Sequence, residues 1–251
     1  MQEQYRVALV GCGGISNAWL GAMAKIPDLK VVALVDQRLE AAKAQSEKWQ
    51  LPEAKLCTSL TEALAATRPE VVFDLTIPAA HEAVTTEALK AGCHVLGEKP
   101  LADTLEAAQR MVAAAKASGK TYAIIQNRRY EAGIRSVRQT LESGAIGEVE
   151  ELHSDFFVGA HFGGFRDEME DVLILDMAIH TFDAARYISG ADPVSVYCES
   201  WNPKHSWYRG HASAMCIFEM SGGVRYTYRG SWCNEGMHTS WEADWRIAGS
   251  K

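Results

Sequence analysis

Two hydrophobic patterns divide the chain. Short runs rich in Val, Leu and Ile recur at positions 5–10, 31–35, 71–75, 94–96 and 122–125. Stretches with helical spacing lie between them, at 15–24, 39–49, 60–66, 82–91 and 105–118. Strands apolar on both faces and separated by helices predict a parallel sheet covered on both sides. A further helix is predicted over 132–143, ending at Gly144. The second half reads differently. An apolar helix near 172–188 precedes strand-like segments at 194–201, 212–220, 224–232 and 240–248, with no helices between them. The expected fold is α/β: a doubly wound parallel sheet over 1–126, then an α+β domain over 127–251 with a mostly antiparallel open sheet.

Composition narrows the function classes. With 25 Lys and Arg against 32 Asp and Glu, the net charge is −7, which gives no general drive toward nucleic acid or anionic membrane. No apolar run approaches the ~20 residues of a membrane helix, and the N-terminus lacks the pattern of a secretory leader. The six cysteines form no C-x-x-C pair and no zinc spacing, so reduced, mostly buried thiols in a cytoplasm are expected, with no metal.

The first run ends in Gly11-Cys12-Gly13-Gly14-Ile15-Ser16 and then a helix, close to the G-x-G-x-x-G turn of dinucleotide-binding sites. The first glycine permits the turn and the second admits a pyrophosphate to the backbone, while Ser16 replaces the third. Asp36 follows the second run 25 residues after Gly11, where a carboxylate accepts ribose hydroxyls and repels a 2′-phosphate. NAD is therefore expected over NADP. Arg38 tempers this, since it either stacks on adenine or pairs with a phosphate, although a solvated Arg is the plainer reading.

Two segments carry candidate chemistry. Gly97-Glu98-Lys99-Pro100 follows a strand at the sheet end where ligands bind, and Lys99 there can donate to a substrate oxygen. A surface Lys paired with Glu98 is the plainer reading. In the apolar helix, Asp176 and His180 are four residues apart and Asp183 continues the stripe, which points to a cavity lining. A self-satisfied helix pair and an N-cap Asp176 are the alternatives. The glycine-rich segment 159–166 just before this helix reads either as a lid carrying His161 and Arg166 or as an ordinary surface loop.

Together these stretches resemble the Gfo/Idh/MocA family of nicotinamide-dependent oxidoreductases. The likeness includes the Gly11–Ser16 turn, Thr76-Ile77-Pro78-Ala79-Ala80-His81, the Gly92–Leu101 segment, Asn127-Arg128-Arg129-Tyr130, Gly144–Val149 and Asp176-x-x-x-His180. The resemblance implies a Rossmann domain with NAD bound by Gly11, Cys12, Gly13, Gly14, Ile15, Asp36, Arg38, Thr76, Ile77, His81, Glu98, Lys99 and Asn127. It implies catalysis by Lys99, Asp176 and His180, and a sugar or polyol substrate touched also by Arg129, Tyr130, His161 and Arg166. NAD-dependent glycoside cleavage and a non-catalytic nucleotide sensor are the rival functions. Family members often have glycines where this chain has Asp171 and Ala178, and they usually continue past Lys251, so a truncated second domain is expected. The family also implies homodimers or homotetramers built sheet against sheet. Period-2 alternation puts Tyr226, Tyr228 and Trp232 on one face and Arg225 and Arg229 on the other. The tyrosine face is expected at the interface, the alternatives being that it packs under the domain's own helix or stacks on sugar rings.

Overall fold

The structure, a computed structural model, describes residues 4–251. Contacts divide the chain into two compact units, Met1–Ile125 and Gln126–Lys251.

In the first unit the strands are β1 (Tyr5–Val10), β2 (Leu29–Val35), β3 (Lys55–Cys57), β4 (Val71–Asp74), β5 (His94–Gly97) and β6 (Tyr122–Ile124). Between them run α1 (Ser16–Met23), α2 (Leu39–Lys48), α3 (Leu60–Thr67), α4 (Pro78–Lys90) and α5 (Leu105–Ser118). All strand pairs are parallel, in the order β3-β2-β1-β4-β5-β6. The order reverses between β1 and β4, and in such sheets the crevice at that point, beyond the carboxyl ends of the strands, is where ligands bind. One face of the sheet buries Ala8, Val10, Ala33 and Val35 with α3 and α4, and the other buries Val7, Leu9 and Leu34 with Trp19 and Leu20 of α1. That two-sided burial is what the unbroken apolar runs encode. Ser59 and Thr104 cap α3 and α5 by accepting from Glu62 N–H and Ala107 N–H, so these helices begin where their caps stand. The short strand β3 has no hydrophobic run of its own and escapes the sequence pattern.

The second unit holds α6 (Ala132–Glu142), β7 (Val149–Phe157), a helical stretch with α7 (Ile179–Ser189), then β8 (Pro193–Trp201), β9 (Ser213–Met220), β10 (Arg225–Ser231) and β11 (Asp244–Gly249). Its sheet runs β11-β7-β10-β9-β8; only β7 and β10 pair in parallel. The sequence pattern does not predict β7. It alternates Leu152, Ser154 and Phe156 inward with charged or polar residues outward, and an inward serine among charges blurs the signal. Ser154 is buried because its hydroxyl pairs with the Tyr226 hydroxyl at 2.8 Å. The helix expected near 172–188 is also different in kind. It opens with a π-helical turn, Leu173–Ala178, before α7 continues as a regular helix.

The assignment of Tyr226 and Tyr228 to an oligomer interface is overturned. Tyr226 is 1% and Tyr228 0% exposed, and both rings meet Phe182 of α7 edge-on. Tyr226 also stacks on Phe218 and Trp245. These aromatics are the unit's own core because α7 covers their face; Arg225 and Arg229 lie on the solvent face.

The two hydroxyls differ in a measurable way. Tyr226 has Ser154 as partner, whereas the buried Tyr228 hydroxyl has none among the described residues and sits over Gly230. Tyr226→Phe should cost about 0.5–1.5 kcal/mol, while Tyr228→Phe should be neutral or stabilising. Urea unfolding of the two variants beside the parent checks the contrast; equal losses would contradict it.

Candidate functional site

The carboxyl ends of β1, β2, β4 and β5 gather the first unit's candidate residues. Gly11 leaves β1 with φ +97°, and a Cβ on it would lie 2.5 Å from the carbonyl oxygen of Leu75, just beyond β4. Only glycine allows the two backbones this close. Gly13 is the opposite case: a Cβ there meets nothing within 4 Å. The protein's own packing therefore leaves open space over the turn, as a close-approaching phosphate would require. Ile15, at the start of α1, supplies no side-chain cap. Its side chain is exposed, as is that of Ile77 after β4.

Asp36 is fixed at the end of β2. Its Oδ2 accepts from Cys12 N–H and its Oδ1 from Arg38 N–H, both at 2.9 Å. Each carboxylate oxygen accepts more than one hydrogen bond, so capacity for ribose hydroxyls remains. The Arg38 side chain is largely solvated, its Nε 4.0 Å from Asp36. Cys12 contributes backbone to this turn; burial, then the Asp36 charge, push its thiol up to about 12, which keeps it protonated and inert. Glu98 holds the turn after β5: Oε1 accepts from Trp19 Nε1 at 2.7 Å and Oε2 from Lys99 N–H at 3.2 Å.

His81 and Thr76 stand in a network the sequence did not announce. Asp74, buried at the end of β4, accepts from Thr76 N–H and Oγ1 and from Thr85 Oγ1. Burial raises the Asp74 pKa, partly offset by His81 and these hydrogen bonds. The His81 ring nitrogens lie 2.9 Å from the Pro100 carbonyl and 3.0 Å from the Thr76 carbonyl. Buried and flanked in this way, His81 braces the loops after β4 and β5. A charged residue ending an otherwise apolar run was the one available clue to Asp74.

In the second unit, Asp176 in the π-helical turn is 2% exposed and His180 in α7 is 6% exposed. Turns of this kind occur often at functional sites. Asp176 Oδ2 accepts from Arg166 Nε at 2.7 Å. The Arg166 guanidinium lies over the rings of Phe162 and Phe165, so the segment before the helix is tied to Asp176. His161 stacks on Trp207 with ring centroids 5.1 Å apart, its Nε2 3.2 Å from Asp167. Arg129 donates from Nε and Nη2 to the two carboxylate oxygens of Asp183, and so braces the turn Asn127–Tyr130 against α7. Tyr130 is exposed in the same turn. Asp171, where the resemblance expects glycine, accepts from His211 and Ser200 outside this cluster.

Sequence comparison gives these arrangements a context. Residues 5–126 match the family model described as "Oxidoreductase family, NAD-binding Rossmann fold", and residues 134–251 match that of the GFO/IDH/MocA C-terminal domain. The chain belongs to the Gfo/Idh/MocA family. It is similar to an inositol 2-dehydrogenase of Arthrobacter sp., 31% identical over 78% of this chain and 57% of the relative. The D-glucoside 3-dehydrogenase of Escherichia coli is 30% identical over 74% of this chain and 54% of its own length. The chain thus spans little more than half the length of these curated relatives. Among solved structures, an oxidoreductase from Agrobacterium radiobacter in complex with NAD+, L-tartaric acid and magnesium superposes with a TM-score of 0.92. That pair is 23% identical, and the match covers 99% of this chain and 72% of the other.

The two glycines separate folding from binding. Gly11→Ala should destabilise by about 1–3 kcal/mol, since Cβ meets backbone atoms and φ is positive. Gly13→Ala should stay within about 0.5 kcal/mol of the parent yet lose affinity for a dinucleotide. Urea unfolding and calorimetric titration with NAD read the two effects separately. A Gly13→Ala protein that binds NAD normally would remove the turn from the site.

Proposed function

We propose that this chain is an NAD-dependent dehydrogenase acting on a hydroxyl group of a sugar or polyol, or on the matching carbonyl in reverse. The observation that carries the reading is the turn after β1. Its second glycine has open space where a Cβ would stand, beside a carboxylate fixed at the end of β2. The family membership and the named sugar and inositol dehydrogenases among its relatives support the substrate class. In this reading the first unit supplies most of the dinucleotide's contacts and the second most of the substrate's.

Gly11, Gly13, Gly14 and Ile15 would hold the pyrophosphate, Asp36 would accept from the ribose hydroxyls, and Thr76, Ile77, Glu98 and Asn127 would complete the cofactor's surroundings. His81 acts by bracing those loops. Bound NAD supplies the acceptor for the hydride leaving the substrate carbon. The chain's own work is proton handling. The His180 imidazole takes the hydroxyl proton as the carbonyl forms, acting as general base. Asp176, held by Arg166, orients it. The Lys99 ammonium donates to the reacting oxygen and stabilises its developing charge. Cytoplasmic placement accords with the free cysteines.

A homo-oligomer formed through the solvent face of the second sheet is also part of this reading. Along β8 and β9, Tyr197, Ile217 and Met215 are 66%, 55% and 51% exposed on that face. Toward β7 and β11 the same face carries alternating charges, among them Arg229 paired with Asp155. An apolar patch rimmed by ion pairs suits a self-complementary contact.

His180→Ala should lower turnover at least ~100-fold with NAD affinity little changed. A panel of polyols and sugars assayed for nicotinamide reduction checks this. Consumption of a glycoside with no net NADH would point to cleavage, and tight NAD binding with no turnover of any substrate would favour a sensor. Preference for NADP in titration would contradict the role of Asp36. For assembly, Ile217→Asp with Met215→Asp should give monomers in sedimentation velocity; an unchanged oligomer, or a monomeric parent, would refute the interface.

A further inference from the structure

Five of the six cysteines are buried, and Cys198 is exposed. Cys198 lies on β8, the edge strand of its sheet, and almost every residue of that strand is open to solvent. The antiparallel register sets Cys198 directly opposite Cys216 of β9. Opposed residues share a face of the sheet, and the two Sγ atoms are 3.4 Å apart. Directly opposed antiparallel residues have Cα atoms about 4.5–5.5 Å apart, within the roughly 4.4–6.8 Å that disulfides span. Bond formation then requires the sulfurs to close from 3.4 Å to about 2.05 Å, a side-chain adjustment beside a strand that is paired on one side alone.

We propose that Cys198 and Cys216 are a site of reversible intrachain disulfide formation, reached by exchange with the disulfide of a small thiol such as glutathione disulfide.

The two thiols have distinct roles. Exposed Cys198 loses its proton to solvent, and its thiolate attacks one sulfur of glutathione disulfide. The glutathione S–S bond breaks, one glutathione leaves as thiolate, and Cys198 carries the other in a mixed disulfide. Cys216 then loses its proton and attacks the Cys198 sulfur, releasing the second glutathione as the protein S–S bond forms. The two electrons given up by the protein thiols end on the two glutathione sulfurs. Burial, together with the neighbouring Cys198, pushes the Cys216 thiol up to about 12, so Cys216 is the resolving partner and not the first to react. Cys216 of β9 is the cross-strand partner of Tyr228 of β10, and Tyr228 meets Phe182 of α7. The bond would therefore staple the exposed edge strand to the layer beneath α7.

The test uses the full chain, treated with excess glutathione disulfide, quenched in acid, and read by intact mass and peptide mapping without reduction. The expected product is lighter by two hydrogen atoms and links the Cys198 and Cys216 peptides. It unfolds at higher urea than the reduced chain, and dithiothreitol reverses it. Cys198→Ser should block all reaction, and Cys216→Ala should stop at a glutathione adduct on Cys198. A wild-type chain that stays reduced, that keeps a stable glutathione adduct, or that links two chains through Cys198 would overturn the proposal. Because oxidised and reduced wild type are compared directly, a poorly folding variant leaves the result intact.

Discussion

Where β1 and β4 end, two backbones touch. The Cα of Gly11 stands so close to the Leu75 carbonyl that no side chain fits between them. This contact lies where the strand order reverses, and it draws the loops after β1 and β4 together. The remaining first-unit residues take their places around it. Cys12, the next residue, turns its N–H to Asp36 and so joins the end of β2 to the same rim. Asp74, one residue before Leu75, fixes Thr76 and Thr85 from within the core. The rim is thus built from backbone approach and buried hydrogen bonds, and its exposed surface is left to glycines and two isoleucines.

The second unit solves a different problem: how to bury an acid and an imidazole in an apolar helix. The wider π-helical turn carries Asp176, and Arg166 reaches in from the preceding segment with a charged partner. A buried carboxylate without such a partner is costly, which makes Arg166 part of the support of the site. Beneath the helix, Phe182 seats on Tyr226 and Tyr228, so the aromatic layer of the sheet sets the height at which His180 stands.

Much of this was legible in the chain. The α/β alternation, the glycine turn, Asp36 after β2 and the Asp176-x-x-x-His180 spacing are local signals of period, turn chemistry or short sequence distance. Features set by distant partners were not legible. The inward Ser154 reads as a break in β7 because its partner, Tyr226, is 72 residues away. The alternation of β10 separates Tyr226 and Tyr228 from Arg225 and Arg229 correctly, yet nothing local says which face α7 covers. Nothing local to Arg129 or Arg166, both expected at the substrate, announces that they bond Asp183 and Asp176. His81, in a helix beginning with proline, gives no sign that two carbonyls will flank its ring.

The parallel pairing of β7 with β10 also bears on how the second unit comes into being. Arg229 and Asp155, bonded side by side, are 74 residues apart in the chain, and β11 joins the other flank of β7 later still. As the chain leaves the ribosome, β7 therefore emerges well before either of its neighbours exists. The first unit, by contrast, can lay β1 against β2 early. Closing so long a loop slows the search for the native pairing and leaves two strand edges open meanwhile. The outward charges of β7, Glu151 and Asp155 with His153 between them, are the kind that discourage such an edge from pairing with the wrong chain during that interval.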